Sequence, residues 1–180
     1  WVGDGETPNS LKKAREFGLE IREDRRPNNR FGLDRCPWCG TTIVPGARSA
    51  RESDYGFTAL DQEFRLRCPR PTCPFSDVLP VQVIDEMLYR EPPTILMGTV
   101  DKFARLAWIS DPGIFFGSDQ RLPPGLIIQD EMHLLSGPLG TMFGMYEAGL
   151  DTVIRLRGGN PKIIASTATI RDAPGQTSGL

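Results

Sequence analysis

Four cysteines stand in two close pairs, Cys36-Pro37-Trp38-Cys39 and Cys68-Pro69-Arg70-Pro71-Thr72-Cys73. Two residues separate the first pair and four the second, with 28 residues between the pairs. A zinc ion takes four thiolates tetrahedrally, and turns of this size aim two sulfurs at one centre without straining the backbone. The prolines and Gly40 beside the cysteines suit such turns. The alternatives are two disulfides or four buried free thiols. Disulfides need an oxidising compartment, and nothing in the sequence signals export. The spacing therefore predicts one structural Zn²⁺ on Cys36, Cys39, Cys68 and Cys73, in a cytoplasmic protein. The only histidine, His133, lies far along the chain, so the site needs none.

The second group with chemical potential is Asp130-Glu131-Met132-His133, which follows the apolar run 126–129. Two adjacent acids after buried apolar residues are costly unless they face a cation. In nucleotide hydrolysis the first acid can hold Mg²⁺ through water while the second orients the attacking water. Ser166-Thr167-Ala168-Thr169 follows the run 162–165 and offers hydroxyls that can bond the histidine or the acids. Thr99-Val100-Asp101-Lys102 follows 95–98 and opens a helical pattern whose free N–H groups suit a phosphate. Singly these are weak signals: an Asp-Glu pair occurs anywhere, and Thr-x-Asp is ordinarily a helix N-cap. Their order after successive apolar runs gives them weight.

Those runs are the elements that must position the acids. Residues 95–98, 126–129 and 162–165 read as short strands. Helical patterns separate them, over 101–109 and over 139–156, where Leu139, Met142, Phe143, Tyr146, Leu150, Val153 and Ile154 share one face. Strands alternating with helices predict an α/β fold, a parallel sheet covered by helices on both faces. In such sheets the chemistry sits beyond the carboxyl ends of the strands. Residues 78–84 are a further candidate strand. Near the cysteines, 41–44 and 63–67 read as strands that would form a hairpin joining the two turns.

At this point the chain resembles a known family. Residues 126–133 look like the Walker B, or DExH, motif of superfamily 2 helicases; Thr167-Ala168-Thr169 looks like their motif III, and 95–103 like motif Ib. More narrowly, 99–104 and 129–140 resemble the helicase subunit of DISARM anti-phage systems. The resemblance implies part of a RecA-like lobe carrying a small zinc-ribbon-like insertion with four cysteine ligands. It implies Asp130 as the Mg²⁺ acid, Glu131 as the catalytic acid, and His133, Thr167 and Thr169 as groups coupling nucleotide state to nucleic-acid grip. Thr99, Asp101 and Lys102 would touch the nucleic-acid backbone, DNA in preference to RNA. Its partners would be the remainder of the helicase chain and other subunits of a defence complex. Met132 and Thr167 depart from the usual motif residues; threonine keeps the hydroxyl but stiffens the side chain.

The implied organisation is 1–21 as part of the lobe, 22–77 as the zinc insertion and 78–180 as the lobe with motifs Ib, II and III. No Gly-Lys pair occurs, so ATP phosphates have no primary cradle in these residues. The segment reads as cut from a longer protein and should be inactive by itself. A zinc-ribbon interaction module on a non-hydrolysing RecA-like scaffold is the competing reading, and a transporter-type P-loop ATPase a third.

Composition sets the outer bounds. The 180 residues are 39% apolar and 24% charged with a net charge of −2, which suits a folded chain and excludes a histone-like one. No apolar run approaches the ~18 residues needed to span a bilayer, so no membrane partner is expected. Residues 22–70 hold ten arginines against seven acids; that excess alone favours a solvated face over a nucleic-acid patch.

Overall fold

The computed structural model describes residues 7–99, 102, 103, 108, 110–131 and 138–166. It is a mixed α/β chain that divides into two compact units at Lys102/Phe103.

The first unit begins with helix α1, Leu11–Glu23. Ser10 caps it, its side chain accepting from the Lys13 N–H, while Glu86 Oε2 accepts from the Leu11 N–H at 3.0 Å; both satisfy donors that a helix start leaves open. Leu11, Ala14, Gly18 and Ile21 recur at helical spacing and form the buried stripe. Gly18 lets the helix approach the sheet: a Cβ there would stand 3.1 Å from the Phe57 ring. That ring lies on β1, Phe57–Ala59, which pairs antiparallel with β2, Phe64–Leu66. Phe31, fully buried, fills the space between, its ring centroid 4.8 Å from both Phe57 and Phe64. Arg22 lies over the Phe57 ring at 5.2 Å and pairs with Glu52 at 2.9 Å. A short helix α2, Asp85–Arg90, follows.

The hairpin differs from the one expected. Residues 63–67 do hold a strand, but its partner is 57–59 rather than 41–44. After the first cysteine turn the chain folds back on itself, spending its hydrogen bonds there: Cys36 N–H donates to Thr41 O, Ile43 N–H to Asp34 O, and Arg35 bridges Thr42. Gly56 then inserts between Ile43 and Arg67, where any Cβ would meet Arg67 O at 2.5 Å. Residues 78–84 form no strand either. Leu79 and Ile84 turn into the core, Pro80 interrupts the ladder, and the Gln82 side chain accepts from the Val83 and Ile84 N–H groups. Residues 95–98 are irregular, after the Pro92-Pro93 pair.

One core runs through this unit. It joins Leu11 and Ile21 of α1 to Phe31, the cysteines, both strands, Leu79 and Ile84. Helix α1 and the cysteine region are thus packed together. Beside this core, Lys102 and Asp85 make a buried ion pair at 2.6 Å, with side chains 1% and 3% exposed; Asn9 Oδ1 accepts a second bond from the ammonium at 3.2 Å. Removing one partner leaves a buried charge uncompensated, at a cost of about 3–5 kcal/mol. Lys102→Met is therefore expected to lower the denaturant midpoint sharply. Lys102→Met with Asp85→Leu should recover most of the loss; equal midpoints for wild type and the single variant would refute the pair's importance.

The second unit contains β3, Leu126–Gln129, helix α3, Pro138–Leu156, and β4, Lys162–Ala165. The strands pair in parallel, Leu126 opposite Lys162 and Gln129 opposite Ala165. Two of the three expected strands and the long helix are present where the sequence placed them. A helical crossover is what a parallel pair requires. Gln129 Nε2 donates to Glu147 Oε1 at 2.9 Å, tying the strand end to α3. Leu126, Ile128, Ile163 and Ile164 remain 43–65% exposed. No helix among the described residues is long and apolar enough to cross a membrane.

Candidate functional site

The four cysteines converge although 28 residues separate the pairs. Cys36, Cys68 and Cys73 are buried, Cys39 partly so, and all four sulfurs lie within 4.8 Å of one another. The close pairs run across the two turns: Cys39 to Cys68 at 3.4 Å and Cys36 to Cys73 at 3.9 Å. A tetrahedron of ~2.3 Å metal–sulfur bonds has edges of ~3.8 Å. A disulfide would need ~2.05 Å. The thiols are free and arranged to hold a metal such as zinc.

Local backbone builds both turns. In the first, Gly40 donates to Cys36 O and takes φ +72°, a left-handed conformation glycine adopts freely. In the second, Cys73 N–H donates to Arg70 O and Cys68 N–H to Phe75 O. Backbone N–H groups of Thr41, Arg70 and Phe75 reach the sulfurs of Cys39, Cys68 and Cys73 respectively. Each donor lies two residues after its cysteine, and such donors favour thiolate. The Thr41 hydroxyl, 3.2 Å from Cys39 Sγ, and its N–H bring that thiol down to about 6. Burial wins at the other side, pushing Cys68 up to about 12 and raising Cys73. A buried set in which two thiols resist ionisation becomes favourable as thiolates when a cation shares the site. Thr41 was not singled out from sequence, though its place just after the Cys-x-x-Cys-Gly turn marks it.

The acidic pair is at the carboxyl end of β3. Asp130 Oδ1 accepts from the Glu131 N–H at 3.0 Å and from Ser166 Oγ at 2.5 Å. Ser166 follows β4 directly, so the parallel register brings the two strand ends together as the sequence order suggested. Both acids are exposed. Glu131 has φ +56°, alone in the left-handed region among the described non-glycine residues. Thr99 is exposed, its carbonyl accepting from Lys102 N–H at 3.0 Å. Lys102 is different: its ammonium is spent on Asp85 inside the fold, away from any solvent-borne phosphate. Asp101, His133, Thr167 and Thr169 lie outside the described residues.

Against known proteins, the chain is 31% identical over 214 aligned positions to the DISARM protein DrmA of Bacillus paralicheniformis, an alignment covering 96% of this chain. The chain is thus similar to this DISARM protein along nearly all of its own length. It spans 19% of the DrmA it matches. No family model matches, and no solved structure matches.

Proposed function

We propose that this chain is part of an ATP-dependent motor acting on nucleic acid, DNA in preference to RNA, within an anti-phage defence system. The observation that carries the reading is the strand-end pair: Asp130 and Glu131 close β3 and are joined through Ser166 to the end of the parallel strand β4. Ligand chemistry in parallel α/β sheets concentrates at such ends. Four exposed aliphatic side chains on just two parallel strands support a larger, RecA-like sheet, since parallel strands are ordinarily covered on both faces. The relation to DrmA supports the defence setting and a defence complex as partner.

In this reading Asp130 holds Mg²⁺, its Oδ1 oriented by Ser166 and the Glu131 N–H, and Glu131 aligns the attacking water. Magnesium would supply charge neutralisation on the nucleotide phosphates. The phosphate-gripping loop belongs to other parts of the longer protein. The cysteine centre, a zinc ribbon in this reading, holds the first unit together. Thr99 touches the nucleic-acid backbone, and His133, Thr167 and Thr169 transmit nucleotide state.

The test is ATP hydrolysis by the full-length protein with and without single-stranded DNA. Stimulated turnover is expected; a folded, metal-loaded protein that binds DNA and never hydrolyses ATP would leave an interaction module on an inert scaffold. Thr167→Ala with Thr169→Ala should retain substantial hydrolysis while lowering the strand movement obtained per ATP. An unchanged ratio on folded protein would reduce that turn to a packing role.

A further inference from the structure

Trp38 is 68% exposed at the tip of the first cysteine turn. Its ring meets Phe75, from the second turn, edge to face at 5.8 Å and 67°. The pair bridges the two metal-holding segments and leaves the indole largely in solvent. An exposed tryptophan held by another aromatic is a rigid platform rather than a loose side chain.

The two segments that carry the cysteines are rich in arginine, with Asp34, Glu52, Glu63 and Asp77 at their borders. Residues 35–51 and 64–76, which carry all four cysteines, contain six arginines and no acid. A zinc ion on four thiolates offsets two of those charges. Arg35 donates to Gly40 O at 3.2 Å, which places its guanidinium on the same turn as Trp38. Arg70 is exposed within the second turn. Neither Arg35 nor Arg70 has an ion-pair partner among the described residues, in contrast to Arg15, Arg22, Arg30 and Arg65. The net excess over 22–70 argued nothing by itself; unpaired arginines on the same two turns that bring Trp38 and Phe75 together do.

We propose that the Trp38–Phe75 platform binds single-stranded nucleic acid, a base stacking on the indole while Arg35 and Arg70 hold the flanking phosphates. Flat π-faces and a polyanionic backbone match both halves of this surface. A duplex hides its base faces, so the single strand fits better. The inference deepens the nucleic-acid reading above and does not need the strand-end acids.

The experiment uses the full-length, zinc-loaded protein without nucleotide. Fluorescence anisotropy follows a fluorescein-labelled oligothymidylate of about 20 nucleotides, longer than the ~4–16 that comparable platforms cover. Trp38→Ala should weaken binding about tenfold, the loss of one stacked base, with an unchanged salt slope. Trp38→Tyr should restore most of it. Arg35→Gln with Arg70→Gln should reduce the salt slope by about 1.4, two single-strand phosphates' worth. Affinity within about twofold of wild type for Trp38→Ala, at equal metal content, overturns the proposal while the motor reading stands. Loss of a co-purifying protein subunit with oligonucleotide binding intact also overturns it, assigning the face to a protein partner. No binding by the wild-type protein refutes the platform and the nucleic-acid part of the motor reading together. A normal Trp38 effect without stimulated ATP hydrolysis sinks the motor reading alone.

Discussion

Removing the metal, or replacing Cys39 by serine, is expected to unfold the first unit while the β3–α3–β4 unit keeps its structure. Structural zinc sites contribute on the order of 10–16 kcal/mol in small modules, as much as the whole stability of a typical domain. Here Cys36, Cys68 and Cys73 belong to the same core as Leu11, Phe31, Phe57 and Leu66. Loss of the centre therefore reaches helix α1 rather than stopping at the cysteine turns. Hydrogen exchange should show protection lost over Leu11–Glu23 and kept over Pro138–Leu156. Re-adding zinc to chelated wild type should restore it. The centre should also weaken with acid: Cys68 and Cys73 hold their protons when no cation is bound, so metal uptake releases protons and affinity falls as pH falls. Less than half an equivalent of metal in a fully folded protein would remove the zinc centre from the account.

Glu131→Gln in the full-length protein should abolish DNA-stimulated ATP turnover while leaving ATP binding intact. The amide keeps the size and the hydrogen bonds but removes the charge that would position water in the proposed reading. A loss of about 10²–10⁴-fold is expected of a general base. The backbone offers an independent check. Glu131 holds φ +56°, a conformation that costs a non-glycine residue on the order of 1 kcal/mol. Glu131→Gly should then be slightly more stable than wild type yet equally inactive, separating function from folding. Wild-type hydrolysis rates in Glu131→Gln would show that this acid is not catalytic. Ser166→Ala should fall between, since it removes the Ser166 hydroxyl bond to Asp130 Oδ1 without removing the carboxylate; a normal rate there would leave Ser166 structural.

The sequence by itself determined the features that depend on short-range pattern. The cysteine spacing marked all four members of one cluster, because a turn of two to four residues sets where its own sulfurs can point. The apolar runs at Leu126–Gln129 and Lys162–Ala165 and the 3.6-residue repeat between them determined strands and helix. Their order placed Ser166 beside Asp130, since in a parallel pair successive strands end on the same side. What only the tertiary structure decided is partner choice between distant segments. Residues 63–67 have strand character in any setting, yet whether they pair with 41–44 or 57–59 depends on where 41–44 spends its hydrogen bonds, and Thr41 and Ile43 spend theirs on Cys36 and Asp34. Residues 78–84 alternate like a strand but fill a core reached from α1, a contact across some seventy residues that no local period encodes. Lys102 resembled a phosphate contact until Asp85 was found 2.6 Å away, and Trp38 was a turn residue until Phe75 met it from the second turn. Local propensity is written in neighbouring residues; burial and pairing follow from which surfaces meet, and only the folded chain brings those surfaces together.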